Sequence, residues 1–195
     1  MTNNEIELKV FEVLQQYVTS GNAHKQLLNI IQNENIKYKE VDSKNINFIG
    51  ALTTANNGQL YIMVNKNIEN IGRKNFTIAH ELGHYFLNHQ LKTNAFYCFD
   101  NEILEEGFLQ DNIENEANYF ATCLLMPEGK VESAFKALLK NARKYQSSEF
   151  LHITNSTYGI WCGIRDTLTK RYGVSEQALR YRLKSLHLID FDKYM

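Results

Sequence analysis

The stretch Thr77-Ile78-Ala79-His80-Glu81-Leu82-Gly83-His84 sets two histidines four positions apart with a glutamate beside the first, the pattern H-E-x-x-H. Around it, Arg73 to Asn88 contains no proline and places Phe76, Ala79, Gly83 and Phe86 near one stripe, so a helix is expected there. On a helix the i, i+4 spacing puts both imidazoles on one face, where two nitrogen ligands converge on one ion. Zinc accepts such nitrogens at about 2.0–2.1 Å, and a catalytic site takes three protein ligands so that one position stays open. Glu81, next to the first histidine, is placed to take a proton from water at that position. One helix face cannot surround a tetrahedral ion, so the third ligand is expected from another element.

Downstream, Ile113, Ala117, Phe120, Ala121, Leu124 and Leu125 follow the period of a buried helix, and Pro127 ends it. That helix offers Glu114 and Glu116. Both flank the apolar stripe, and helical geometry alone does not choose between them; either also reads as a solvated carboxylate favoured by the helix dipole. His89 is a rival, but its i+5 offset from His84 turns it to another side of the helix. Between the two helices, Gln90 to Asp111 mixes aromatics, acids and amides without clear period, which predicts a long loop or broken helix, a lid over the site among its roles.

Upstream, Val10, Phe11, Leu14, Tyr17 and Val18, then Leu27, Leu28, Ile30 and Ile31, predict two helices separated by Ser20-Gly21-Asn22. The pattern then changes to alternation at Ile36, Tyr38 and Val41, followed by apolar runs at Phe48–Leu52 and Leu60–Val64 around the hairpin signal Asn56-Asn57-Gly58. A small, largely antiparallel sheet follows, and the edge of Leu60–Val64 could receive an extended substrate, although an ordinary sheet strand is an equal reading. Beyond Pro127 come an amphipathic helix around Val131–Lys144, a less regular stretch, and a helix over Ile164–Tyr172 that passes through Gly173 to a Ser175-capped helix over Glu176–Leu186. The fold class is α+β, with 1–128 as a sheet-and-helix core and 129–195 as a mainly helical part across a soft boundary.

Composition narrows the functions. The 195 residues are 44% hydrophobic and 22% charged, a folded globular balance. Lys and Arg number 21 against 22 Asp and Glu, so no global basic field draws the surface to nucleic acid or acidic membrane. Met1–Lys9 lacks the basic start and apolar run of a secretory signal, and no window reaches the roughly 18 apolar residues of a membrane span. Cys98, Cys123 and Cys162 are odd in number, far apart and without C-x-x-C spacing, which argues against a disulfide framework or a thiolate zinc site and fits a reducing cytoplasm. One local basic cluster stands out: Arg165, Lys170, Arg171, Arg180, Arg182 and Lys184 against Asp166 and Glu176. It permits a DNA-reading helix-turn-helix with Ser175–Leu183 as recognition helix, yet Leu179, Leu183 and Leu186 need a core, as does Trp161.

Two longer runs, Arg73–His84 (R-K-N-F-T-I-A-H-E-L-G-H) and Glu114–Pro127 (E-N-E-A-N-Y-F-A-T-C-L-L-M-P), resemble the signature segments of the ImmA/IrrE metallopeptidases. The order matches as well: a strand ending in Asn65, the histidine helix, the glutamate helix with its L-L-M-P exit, and a closing segment Tyr172–Ile189. The resemblance covers residues 40 to 190 and leaves the first two helices outside. It implies a minimal zincin-like core and one catalytic zinc held by His80, His84 and the glutamate before Ala-Asn, here Glu116, with Glu81 as general base. It further implies a zinc-dependent endopeptidase that makes a limited cut in a transcriptional repressor of the helix-turn-helix class, in phage, mobile-element or stress regulation. His187, where that family usually has Gly, and the Gln90–Asp111 insertion are the departures, and both bear on substrate preference. Tyr97, Tyr119 and His152 have the chemistry of a second oxyanion donor, but packing is the simpler role for each. A second reading is a non-proteolytic regulator that binds a repressor or DNA through the C-terminal basic helices and uses zinc structurally.

Overall fold

The computed structural model describes residues 1–17, 22–45, 47–89, 112–142 and 149–191, and the backbone of 95–99. The elements run α1 (Asn3–Gln16), α2 (Ala23–Asn33), β1 (Lys37–Val41), β2 (Phe48–Thr54), β3 (Leu60–Asn65), α3 (Ile71–Phe86), β4 (Ala95–Phe99), α4 (Asn112–Leu125), α5 (Glu128–Ala142), β5 (Leu151–Ile153), α6 (Tyr158–Tyr172), α7 (Glu176–Ser185) and β6 (Ile189–Phe191). This is an α+β fold, with helices packed on a small mixed sheet. Of the Ser20-Gly21-Asn22 break, only Asn22 lies among the described residues, where it caps α2 through the Lys25 N–H.

Local chemistry explains the helix boundaries. Thr2 and Glu5 close a capping box on α1, and Asn70 and Ser175 accept the first free N–H groups of α3 and α7. At the other ends the chain leaves α2, α3 and α7 through left-handed residues, Asn35, Asn88 and His187, each at φ 54°, while Gly173 at φ 61° caps α6.

The larger sheet has the order β1-β3-β2-β4. The hairpin β2–β3 and the pair β2–β4 are antiparallel, whereas β1 runs parallel to β3. β3 is therefore bonded on both sides and has no open edge, so Leu60–Val64 cannot receive a substrate strand by augmentation. Among the described residues the sheet edges belong to β1 and β4. β4 falls inside the stretch expected to be a loop; residues 90–94 and 100–111 of that stretch, with the lid reading, lie outside the described residues. A second sheet, the parallel pair β5–β6 with Leu151 opposite Ile189, ties the chain's C-terminal strand to the less regular stretch. Strands of three residues are too short to show a period.

α3 lies between the sheet and α4. Every residue from Asn75 to His84 is buried, so this part of the helix is enclosed on all sides. Two glycines permit that. A Cβ at Gly50 of β2 would lie 2.4 Å from Thr77 Cγ2, and one at Gly83 would lie 3.0 Å from Ala117 Cα of α4. The buried apolar side chains form one cluster that runs from Ile6 and Ile62 through Phe120 to Trp161 and Leu183, on both sides of Pro127. Among the described residues no helix is long and apolar enough to cross a membrane.

Candidate metal centre

Burial of polar residues on α3 costs free energy unless each finds a partner, so those partners define the site. His80 and His84 are each 1% exposed, and their Nε2 atoms lie 3.0 Å apart. Glu114 of α4 brings its Oε2 to 3.2 Å from His80 Nε2 and 3.5 Å from His84 Nε2. Donors bound tetrahedrally at about 2.0–2.1 Å lie roughly 3.3–3.4 Å apart, so this triangle has the dimensions of a site for a zinc-sized ion. Two neutral imidazoles and a carboxylate are also the donor set such an ion takes. Burial pushes the His84 pKa down to about 4, which keeps the ring neutral and its lone pair available. Burial alone would raise the Glu114 carboxyl, but its contacts with His80 and His84 hold it well below the usual carboxylate range.

α4 presents Glu114 and Asn118 to α3 together, because they are one helical turn apart. Asn118 Oδ1 lies 2.8 Å from His80 Nδ1. The amide oxygen only accepts, so Nδ1 carries the proton and Nε2 is left unprotonated toward Glu114. Glu116, the glutamate that the resemblance implies as ligand, is instead held by His89, with Oε2 3.1 Å from His89 Nε2, and by the Met1 α-amino group. The rotation of α4 thus brings Glu114, and not Glu116, to the two histidines. The missed residue is Asn118, and the i, i+4 spacing of Glu114 and Asn118 was its available signal.

Glu81 lies on the sheet side of His80, fully buried, and neither carboxylate oxygen has a hydrogen-bond partner among the described residues. Burial pushes its pKa up to about 8, opposed by the neighbouring His80 and reinforced by the Glu114 charge. The Leu52 backbone favours the charged form without closing a full hydrogen bond. A buried carboxylate with two open acceptor atoms beside a three-donor cluster is arranged to receive a proton, the task of a general base.

Of the other candidates, Tyr119 donates its hydroxyl to Glu7 Oε1 at 2.7 Å and belongs to a network on the far side of α4. His152 is exposed on β5, and the Tyr97 side chain lies outside the described residues. Arg182, counted in sequence among the basic face, is fully buried: its Nη1 donates to Glu7 Oε1 at 2.9 Å and its Nε to the Met126 carbonyl at 3.1 Å, holding the L-L-M-P exit of α4.

A family model for the IrrE N-terminal-like domain, a peptidase family, matches residues 32–184. The chain belongs to the ImmA/IrrE metallopeptidase family. The match includes both β2–β3 and the α3–α4 pair that carries the donor triangle. Metallopeptidase ImmA of Bacillus subtilis is 36% identical over 67 residues, which are 34% of this chain and 36% of that protein. The alignment therefore spans about a third of that ImmA/IrrE relative.

Proposed function

We propose that this ImmA/IrrE-type peptidase is a zinc-dependent endopeptidase that makes a limited, site-specific cut in a transcriptional repressor. The observation that carries the reading is the approach of His80, His84 and Glu114 donor atoms to within 3.0–3.5 Å of one another beside an unpartnered, buried Glu81. On this reading His80 Nε2, His84 Nε2 and Glu114 Oε2 hold one zinc ion, which when bound supplies Lewis acidity to the scissile carbonyl and to water. Glu81 takes the proton of the attacking water as the new C–O bond forms, then returns it to the amide nitrogen as the C–N bond breaks. Asn118 keeps His80 in the tautomer that leaves Nε2 free. The repressor as substrate, and with it a cytoplasmic setting in phage, mobile-element or stress regulation, rests on family membership.

The rival reading is a non-proteolytic regulator working through C-terminal basic helices, and the residues of that cluster differ in their surroundings. Arg182 is buried, Arg165 is paired with Asp166 and Glu176, and Arg180 and Lys184 lie over the Phe191 ring. Lys170 and Arg171 of the same cluster are exposed at the end of α6.

The test is incubation of a helix-turn-helix repressor from the same genome neighbourhood with wild-type protein and with Glu81→Gln, with and without zinc, read by intact mass. One zinc-dependent cut that the variant does not make supports the endopeptidase. A stable complex with no cut moves the assignment to the binding regulator.

A further inference from the structure

His84 is contacted from the side opposite the donor triangle. Its Nδ1 lies 2.9 Å from Nδ1 of His89, and Nε2 of His89 lies 3.1 Å from Oε2 of Glu116. His89 is brought there by the end of α3. Asn88 turns the chain through φ 54°, and the His89 N–H returns to the His84 carbonyl at 3.0 Å, so a residue five positions on comes back to the face that a continued helix would deny it.

The chemistry of this row sets its direction. A carboxylate only accepts, so His89 presents Nε2–H to Glu116 and is left with a lone pair on Nδ1. Two rings in contact through nitrogen need one donor and one acceptor, so His84 donates from Nδ1 to the His89 lone pair and presents Nε2, the atom in the donor triangle, with its own lone pair. The His89 side chain is 5% exposed, so water does not compete for these bonds.

We infer that Glu116 and His89 form a positioning relay that fixes the tautomer and ring orientation of His84, and that this raises metal affinity without either residue touching the ion. The inference rests on the metal reading of His80, His84 and Glu114. Glu116 acts through His89, which acts through His84; Asn118 performs the same task for His80 in a single step. Outer partners of this kind are worth about 10–100-fold in metal affinity.

The test is competition of zinc against a chromophoric chelator for wild type, His89→Ala, Glu116→Ala, the double variant and His89→Gln, with the visible spectrum of the cobalt-loaded proteins as a second readout. Melting in chelator establishes that each variant is folded. His89→Ala is expected to weaken zinc binding by about 10–100-fold and to shift the cobalt bands. The double variant is expected to bind no more weakly than His89→Ala, since Glu116 has no other route to the ion. His89→Gln, whose amide oxygen still accepts from His84, recovers most of the affinity and covers the case in which alanine disturbs folding. Tight zinc binding by wild type with unchanged affinity in folded His89→Ala or in Glu116→Ala, or losses that simply add in the double variant, overturns the relay alone. Absence of zinc uptake by wild type overturns the metal reading and the relay with it.

Discussion

Gly83 of α3 and Ala117 of α4 meet with no room for a side chain: a methyl at Gly83 would lie 3.0 Å from both Cα and the carbonyl oxygen of Ala117 and 3.3 Å from Phe120 Cβ. This contact sets how closely the two helices approach, and so whether Glu114 reaches the histidines. Gly83→Ala would gain helix propensity but force α4 outward by a few tenths of an ångström. A net loss of roughly 1–3 kcal/mol is expected from overpacking, together with weaker zinc binding, measured by urea denaturation in chelator and by zinc titration. Unchanged affinity would show that the donor triangle tolerates displacement of α4.

Glu114 and Glu116 are separable by their metal response. Glu114→Ala removes a donor of the triangle and is expected to reduce zinc affinity by more than the roughly 10–100-fold assigned to outer partners. Glu116→Ala is expected to stay within that range. A larger loss from Glu116 in a zinc competition assay would restore the ligand assignment drawn from the sequence resemblance.

Zinc is expected to raise thermal stability, because the three donors are assembled only in the folded chain. At a free zinc concentration about 1,000 times Kd the gain is roughly 4 kcal/mol. For a chain of this size that corresponds to an increase in Tm of about 8–16 °C over the chelated protein. Calorimetry across a zinc series checks it, and a Tm independent of zinc would count against the site.

Glu7 and Arg182 give the fold an acid-sensitive contact remote from the donor triangle. Burial works to raise the Glu7 carboxyl, but donation from Arg182 and Tyr119 prevails and holds it below its ordinary value. A carboxylate lowered in the folded state contributes stability that is present above the unfolded pKa and disappears as pH falls through the folded one. Glu7→Gln should therefore flatten part of the stability loss between roughly pH 5 and pH 3. At neutral pH it should cost up to about 3 kcal/mol, since it leaves Arg182 buried without its counter-charge while Glu7 itself is partly open to water. Urea midpoints for both proteins across that range decide the point.

His187 occupies the left-handed position after α7, with its N–H on the Lys184 carbonyl and the next N–H, that of Leu188, on Leu183. This is the geometry that glycine takes without strain, which accounts for the glycine usual at this place in the family. His187→Gly is expected to stabilise by about 0.5–1 kcal/mol, the relief of strain exceeding the added freedom of the unfolded chain. Equilibrium denaturation at fixed metal load tests it.

The sequence alone determined the elements whose signals are local. The H-E-x-x-H helix follows from spacing and the absence of proline, the β2–β3 hairpin from Asn57-Gly58, the end of α4 from Pro127, and the α6–α7 junction from Gly173 and Ser175, because each depends on residues within a few positions. That His80 and His84 share one face of that helix was legible for the same reason. The tertiary structure decided what depends on how one element is turned against another. The rotation of α4 about its axis brings Glu114 and Asn118 to the histidines and sends Glu116 to His89. The turn at Asn88 returns His89 to a face that helical period excludes. Arg182, read as surface charge, is buried because α1 and α4 close over it and Glu7 balances it. Such outcomes arise from packing between distant segments, where the energy of a whole interface outweighs the preference of any single residue for solvent or for one side of a helix.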